Sequence, residues 1–254
     1  LNASYRVRES ATSQTRVVAR ALAHHVEFNG PVPGLSASDL ASHRLGLGLS
    51  QLRRPADDGG WRFTGDGGRV WAGGDPSYDF LSARGQRVQK LNDRLRLSIG
   101  LAVEEQFDDS RPIRDATVWS GNLGLTHLFE SGSTLSVSAL YRETVTDFSL
   151  RASTQWSGIV RYTHGQQIGP AKLSLSLGHS TVNYYAYSLA ILGTTTFRGR
   201  EDTSWFGEIS ATLNSASYMG FVPVLSLRTE QSRSNISRFD VDQTGFSVGI
   251  RSEF

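Results

Sequence analysis

The stretch Arg94-Leu95-Arg96-Leu97-Ser98-Ile99-Gly100-Leu101-Ala102-Val103-Glu104-Glu105-Gln106-Phe107 alternates almost residue by residue. Leu95, Leu97, Ile99, Leu101, Val103 and Phe107 fall on one face of an extended chain. Arg94, Arg96, Ser98, Gly100, Ala102, Glu104 and Gln106 fall on the other. Side chains of a strand point to opposite faces in turn, whereas an amphipathic helix would repeat its apolar residues every three or four positions. The period here is two, and the segment reads as a strand with one apolar face.

The same period recurs towards the C-terminus. Leu135, Val137, Ala139 and Tyr141 alternate with Ser136, Ser138 and Arg142. Leu173, Leu175 and Leu177 alternate with Ser174, Ser176 and Gly178. Trp205, Ile209 and Ala211 alternate with Glu208, Ser210 and Thr212, and Phe246, Val248 and Ile250 alternate with Ser247, Gly249 and Arg251. Strands are predicted at 1–9, 15–28, 36–53, 60–73, 94–108, 116–130, 134–147, 150–163, 170–185, 203–215, 219–231 and 241–254. That makes twelve. The Gly-rich start of 60–93 suits a loop, while Tyr78–Val88 has the makings of a further strand, so fourteen is the second count.

A soluble sandwich also alternates, so three further features decide. The segments run to about ten to fifteen residues, where strands of soluble proteins are commonly five or six. The polar face is rich in Gly, Ser and Thr with scattered Arg and Glu, as a wet lumen wall would be. Short connections (130–133, 165–169, 214–217) alternate with longer ones (108–116, 185–202, 232–240). Short turns at one rim and long loops at the other are the mark of an outer-membrane barrel. Trp119, Phe129, Tyr141, Trp156, Tyr162, Trp205, Phe221 and Phe254 stand towards segment ends, where they would form interfacial girdles. The expected fold is therefore an all-β, transmembrane, antiparallel up-and-down β-barrel. In lipid, closure into a ring is what satisfies the edge N–H and C=O groups, and bacterial single-chain barrels close with an even number of strands.

Composition narrows the function classes. The chain has 254 residues, 38% hydrophobic and 20% charged, with 26 glycines. No stretch approaches the roughly 20 consecutive apolar residues of a spanning helix. Cysteine is absent, which rules out disulfides and thiol chemistry. The formal net charge is only +2, and of the 26 basic residues all but Lys90 and Lys172 are Arg, without a basic block. A nucleic-acid partner is not expected. The alternation already begins at Leu1, so the chain is expected to start inside structure. Residues 1–254 are expected to be one barrel domain, potentially the C-terminal part of a longer chain with a periplasmic helical-repeat domain.

A search for chemistry returns little. His24, His25, His43, His127, His164 and His179 form no metal-binding spacing, and no Gly-x-Ser-x-Gly motif is present. Asp108, Asp109, Asp115, Asp147 and Asp202 stand at expected loop edges, where solvated charge is the simplest reading. No catalytic residue, metal or cofactor is expected. The candidate functional residues are charges on the polar face: Arg94, Arg96, Glu104, Arg142, Arg161, Glu208, Arg228, Glu230 and Arg251. They would act as an electrostatic filter or as structural ion pairs within the lumen, and the sequence leaves both open. The 185–202 loop is unusually apolar over Tyr185–Gly193, and would serve as a plug, a contact surface or an extended strand.

The last residues are the most specific. Phe246, Val248, Ile250 and the terminal Phe254 alternate up to the carboxylate, which resembles the sorting signal of outer-membrane barrels read by the barrel assembly machinery. Upstream stand Phe221-Val222-Pro223-Val224-Leu225-Ser226-Leu227-Arg228, then Ser234-Asn235-Ile236, then Phe239-Asp240-Val241-Asp242. This hairpin resembles the barrel end of the surface lipoprotein assembly modifier family. The resemblance implies a barrel of about fourteen strands behind a periplasmic tetratricopeptide-type domain. It implies a non-enzymatic role: moving lipoproteins or other proteins to the bacterial cell surface, with outer-membrane lipid, the barrel assembly machinery and a protein substrate as partners. In that role a seam between Leu1–Glu9 and Gly245–Phe254 is expected as the gate. A passive porin or polysaccharide-export channel is the alternative.

Overall fold

The computed structural model describes residues 2–24, 41–56, 59–108, 112–148, 150–189, 194–196, 199–216, 221–236 and 240–252. The strands are β1 (Asn2–Glu9), β2 (Ser13–His24), β3 (Ser42–Ala56), β4 (Gly59–Ala72), β5 (Asp75–Lys90), β6 (Leu95–Phe107), β7 (Ala116–Leu128), β8 (Thr134–Val145), β9 (Ser153–Thr163), β10 (Lys172–Tyr184), β11 (Tyr187–Leu189), β12 (Thr194–Thr196), β13 (Arg200–Thr212), β14 (Phe221–Ser234) and β15 (Val241–Ser252). Single 3-10 turns stand at Pro112–Arg114 and Asn214–Ala216. Thirteen strands form one antiparallel meander in the order β1 through β10, then β13, β14 and β15. β11 and β12 pair only with each other, inside the connection from β10 to β13.

The all-β antiparallel expectation stands, and among the described residues the sheet holds thirteen strands, between the expected twelve and the second count of fourteen. The added strand is β5, and it contains the Tyr78–Val88 stretch. Its partner β4 runs straight through the Gly-rich segment. Gly73 and Gly74, with φ of 63° and 89°, make the turn between them. Positive φ at both central residues is what a tight hairpin turn matching strand twist requires. The glycines inside β3 and β4 serve another purpose. A Cβ on Gly68 would lie 1.9 Å from the Leu45 carbonyl oxygen, and one on Gly48 would lie 2.4 Å from that of Gly65. Only glycine permits such an approach of two backbones.

The chain divides into two compact units: residues 1–88 with 100–121 and 143–152, and residues 89–99 with 122–142 and 153–254. In the second unit the register lines up Tyr162, Leu175, Ile209, Leu227 and Phe246 across five strands. All of them are exposed. The neighbouring row, Arg161, Ser176, Glu208 and Arg228, is polar, and Ser176 is buried.

The first unit has the same inversion. Val17, Leu49 and Gly65 line up on one face, as do Ala19, Leu47 and Gly67. Leu47 is 66% exposed and Leu101 71%, whereas Gln106 on the opposite face is 4% exposed. The buried apolar side chains are few, Val70, Phe80, Val118 and Val222 among them. A water-soluble sheet hides its apolar face, because each exposed CH2 forgoes about 0.8 kcal/mol of transfer energy. Here the apolar faces are outside and the small polar groups are covered. Continuous exposed apolar surface on this scale marks contact with another apolar medium.

Candidate functional site: the polar face of the sheet

Period-two geometry sends every second side chain of β2 through β6 to the polar face. In the first unit two clusters form there. The first joins strands that are distant in the chain. Arg44 of β3 donates through both terminal nitrogens to Glu104 of β6, at 3.3 and 2.7 Å. Its guanidinium carbon stands 3.6 Å from the centroid of the Phe80 ring, which is itself 4% exposed. Gln106 donates to Glu104 at 2.8 Å. Arg151, from the connection between β8 and β9, donates to the Gln106 side-chain oxygen and to the Arg114 carbonyl, both at 2.6 Å. The network ties that connection to the end of β6. Bidentate Arg–carboxylate geometry of this kind fixes position as well as charge.

The second cluster is cationic. Arg16, Arg20, Arg54, Arg62 and Arg84 line one pocket of ≈ 340 Å³ on β2 to β5. Arg20 is neutralised by Asp66 at 2.7 Å, and Ser82 donates to the same carboxylate at 2.9 Å. Glu9 is held by Arg6 and by Gln14. Among the described residues no carboxylate pairs with Arg16, Arg54, Arg62 or Arg84.

On the polar face of the second unit Arg228 has carboxylate partners. Arg228 bonds Glu230 at 2.8 Å and reaches Glu208 at 3.8 Å. It also covers the Phe206 ring at 3.8 Å. That ring fills the space over Gly178, where a Cβ would meet it at 2.0 Å. Arg161 donates to Ser176 at 2.9 Å and shares a pocket of ≈ 550 Å³ with Glu208 and Lys172.

Of the sequence candidates, Glu104, Arg161, Glu208, Arg228 and Glu230 thus join polar-face networks. Arg96 and Arg142 stand exposed on β6 and β8. Arg94 lies outside β6, in the preceding turn, where it bonds Glu130 at 2.7 Å. Asn92 organises that turn by accepting the Arg94 and Leu95 backbone N–H groups. Arg251 belongs to β15, but its side chain is outside the described residues. Phe246 and Val248 of the candidate sorting signal are exposed on β15. Ile250 shares that strand without a described side chain, and Phe254 lies outside the described residues. Asp202 is a residue of β13, paired with Arg200 at 3.0 Å, and not a loop charge.

Sequence reasoning missed Arg16, Arg20, Arg44, Arg62, Arg84 and Arg151. The signal for the strand residues was present: Leu45, Leu47 and Leu49 set the apolar face of β3, which puts Arg44 on the other. Arg151 carries no such signal, because it reaches the network from a connection.

The Ser234-Asn235-Ile236 segment has a structural task. Asn235 and Glu201 exchange two backbone-linked hydrogen bonds at 3.0 Å, and the Asn235 amide donates to the Gly199 carbonyl at 3.2 Å. Ser234 N–H donates to Asp240 at 2.8 Å. These bonds tie the β14–β15 hairpin to the start of β13. Among the described residues no group of three or more His, Asp or Glu side chains is placed to hold a metal ion.

No protein-family model matches the chain, and no curated protein matches it. Among solved structures it is similar to the crystal structure of Acinetobacter baumannii OccAB3, with 13% identity and a TM-score of 0.51. The match covers 97% of this chain and 65% of that one, so this chain spans less than two-thirds of its neighbour's length. The likeness is one of fold.

Proposed function

We propose that this chain is the membrane-spanning part of a bacterial outer-membrane channel, which passes solutes along its polar face without chemistry. One observation carries the reading: long antiparallel strands expose their apolar face and cover their polar face. Outer-membrane lipid is then the partner of the exposed rows, and barrel assembly machinery the agent of insertion. The fold neighbour is an outer-membrane channel, which supports the same reading. The test is planar-bilayer conductance of the refolded chain. Steady ohmic steps are expected. A chain that inserts, migrates as folded protein and passes no ions would overturn it.

A second reading is translocation of lipoproteins or other proteins to the surface, as the C-terminal hairpin suggests. Surface display of a reporter lipoprotein in cells with and without the protein tests this reading. Equal display in both would remove it.

A further inference from the structure

We infer that the arginine pocket on β2 to β5 is a binding site for a small solute bearing a tetrahedral oxyanion, phosphate or sulfate. The inference rests on the channel reading and names the class of solute that the channel would hold.

Three observations combine. First, Arg16, Arg20, Arg54, Arg62 and Arg84 come from four strands yet face a single pocket. The registers Arg16 with Ser50 and Ser50 with Thr64 put β2, β3 and β4 on one polar row there. Second, the charge is not balanced from within. Asp66 is engaged by Arg20 and Ser82, and Glu9 by Arg6 and Gln14. Among the described residues Arg16 donates to a neutral acceptor, the Gln14 side-chain oxygen, at 3.0 Å. Cations of one sign gathered on a concave surface concentrate anions from solution. Third, the second unit shows the contrasting arrangement, in which Arg228 has Glu208 and Glu230 beside it.

The donor number selects the anion. A guanidinium presents a planar fork of N–H donors that fits two oxygens at once. A carboxylate has two oxygens and is saturated by one or two forks. A phosphate or sulfate ester has three terminal oxygens and the free ion has four, so either accepts from three or four. Four forks without carboxylate partners among the described residues therefore match a tetrahedral oxyanion better than a carboxylate. Gln86 at the same wall supplies an amide group for the rest of the solute. The volume of ≈ 340 Å³ suits a small solute and excludes a folded polymer.

Calorimetry on the detergent-refolded chain at low salt is the test, with inorganic phosphate, sulfate and acetate as probes. Phosphate or sulfate is expected to bind about tenfold or more tightly than acetate, the value of one charge-assisted hydrogen bond. The arm that binds tighter identifies the natural group. The double variant Arg62→Ser/Arg84→Ser is expected to lose about tenfold or more in affinity on the same ground. Should it fail to refold, Arg62→Lys/Arg84→Lys keeps the charge, removes the forks and is expected to weaken phosphate more than acetate. Lys172→Ser, in the other unit, is expected to bind like the parent chain. Acetate binding as well as phosphate, or a double variant that binds undiminished, overturns the site. Bilayer conductance separates the two claims. Conductance with no phosphate binding leaves the channel and removes the site. Binding without conductance leaves the site and removes the channel.

Discussion

Leu101 is the residue at which the inside-out reading is most exposed to refutation. It is the central residue of β6 (Leu95–Phe107) and is 71% exposed. Six residues at a rise of about 3.3 Å, on a strand tilted by about 40°, put it roughly 15 Å from either strand end along the membrane normal. That is close to the midplane of an apolar band about 25 Å tall. Leu101→Arg is therefore expected to destabilise the chain by about 2–4 kcal/mol in a bilayer. Phe107, on the same face at the end of β6 and also exposed, would lie near the interface, where an arginine costs about 0–1 kcal/mol. The assay is reversible guanidinium unfolding of the chain in phospholipid vesicles, with both variants compared to the parent. The contrast between the two matters more than either value, because depth dependence belongs to a bilayer alone. If Leu101→Arg costs no more than Phe107→Arg, or raises stability, the exposed rows face water and the membrane assignment fails.

Four further outcomes are expected. Gly68→Ala, whose Cβ would fall 1.9 Å from a backbone oxygen, should lose at least about 1–3 kcal/mol to overpacking; Gly245→Ala, with nothing within 4 Å, should refold like the parent, and equal yields would refute the close approach of β3 and β4. Ser133 is buried and accepts from Tyr162 OH at 3.1 Å and from the Gly165 N–H at 3.0 Å; Ser133→Ala should cost about 1–3 kcal/mol in an unfolding titration by stranding those donors. Arg151→Ala should speed limited proteolysis within 146–152 at unchanged β content, and an unchanged cleavage rate would exclude the tie to Gln106. In the turn after β5, the Lys90 ammonium bonded to Asp93 holds that carboxyl below the usual carboxylate range. A depressed carboxylate stabilises above its unfolded value, near 3.9, and loses that contribution as the pH falls through the lower folded value. Carboxyl NMR should show the low titration, and Lys90→Met should return it to the ordinary range.

How far the sequence was legible follows from which face each strand kept pure. β6 has an apolar row interrupted only at Glu105 and was read almost to the residue. β5 breaks the pattern on both sides. Asp79 stands on the face it shares with Leu81, which is tolerable because the Arg69 fork neutralises it, with Nε at 2.5 Å. Phe80 stands on the opposite face and is capped there by Arg44. A polar residue among apolar ones and an aromatic among polar ones cancel the period-two signal. Both compensations come from other strands, so no local window contains them. The same limit hid the polar-face network. Arg44 and Glu104 are 60 residues apart, and only the registry of the intervening strands makes them neighbours.

The distribution of charge also bears on which of the two functional readings is the stronger. A conduit for folded or extended polypeptide has to tolerate many side chains, and gains nothing from an uncompensated cluster of one sign. Acidic segments would stall there, and basic ones would be repelled. A solute channel gains from such a cluster, because it raises the local concentration of one class of ion before passage. In β13 and β14 Arg228 has both Glu208 and Glu230 as partners, so it is not a surplus cation. In β2 to β5 the arginines outnumber their carboxylate partners at a single pocket. Paired charge fixes a wall, whereas a surplus cation acts on whatever passes it. The surplus therefore favours the solute channel. Reversal potentials under a KCl gradient are the direct check: anion preference that falls in Arg62→Ser/Arg84→Ser supports the channel, and cation preference in the parent chain would turn the argument towards translocation.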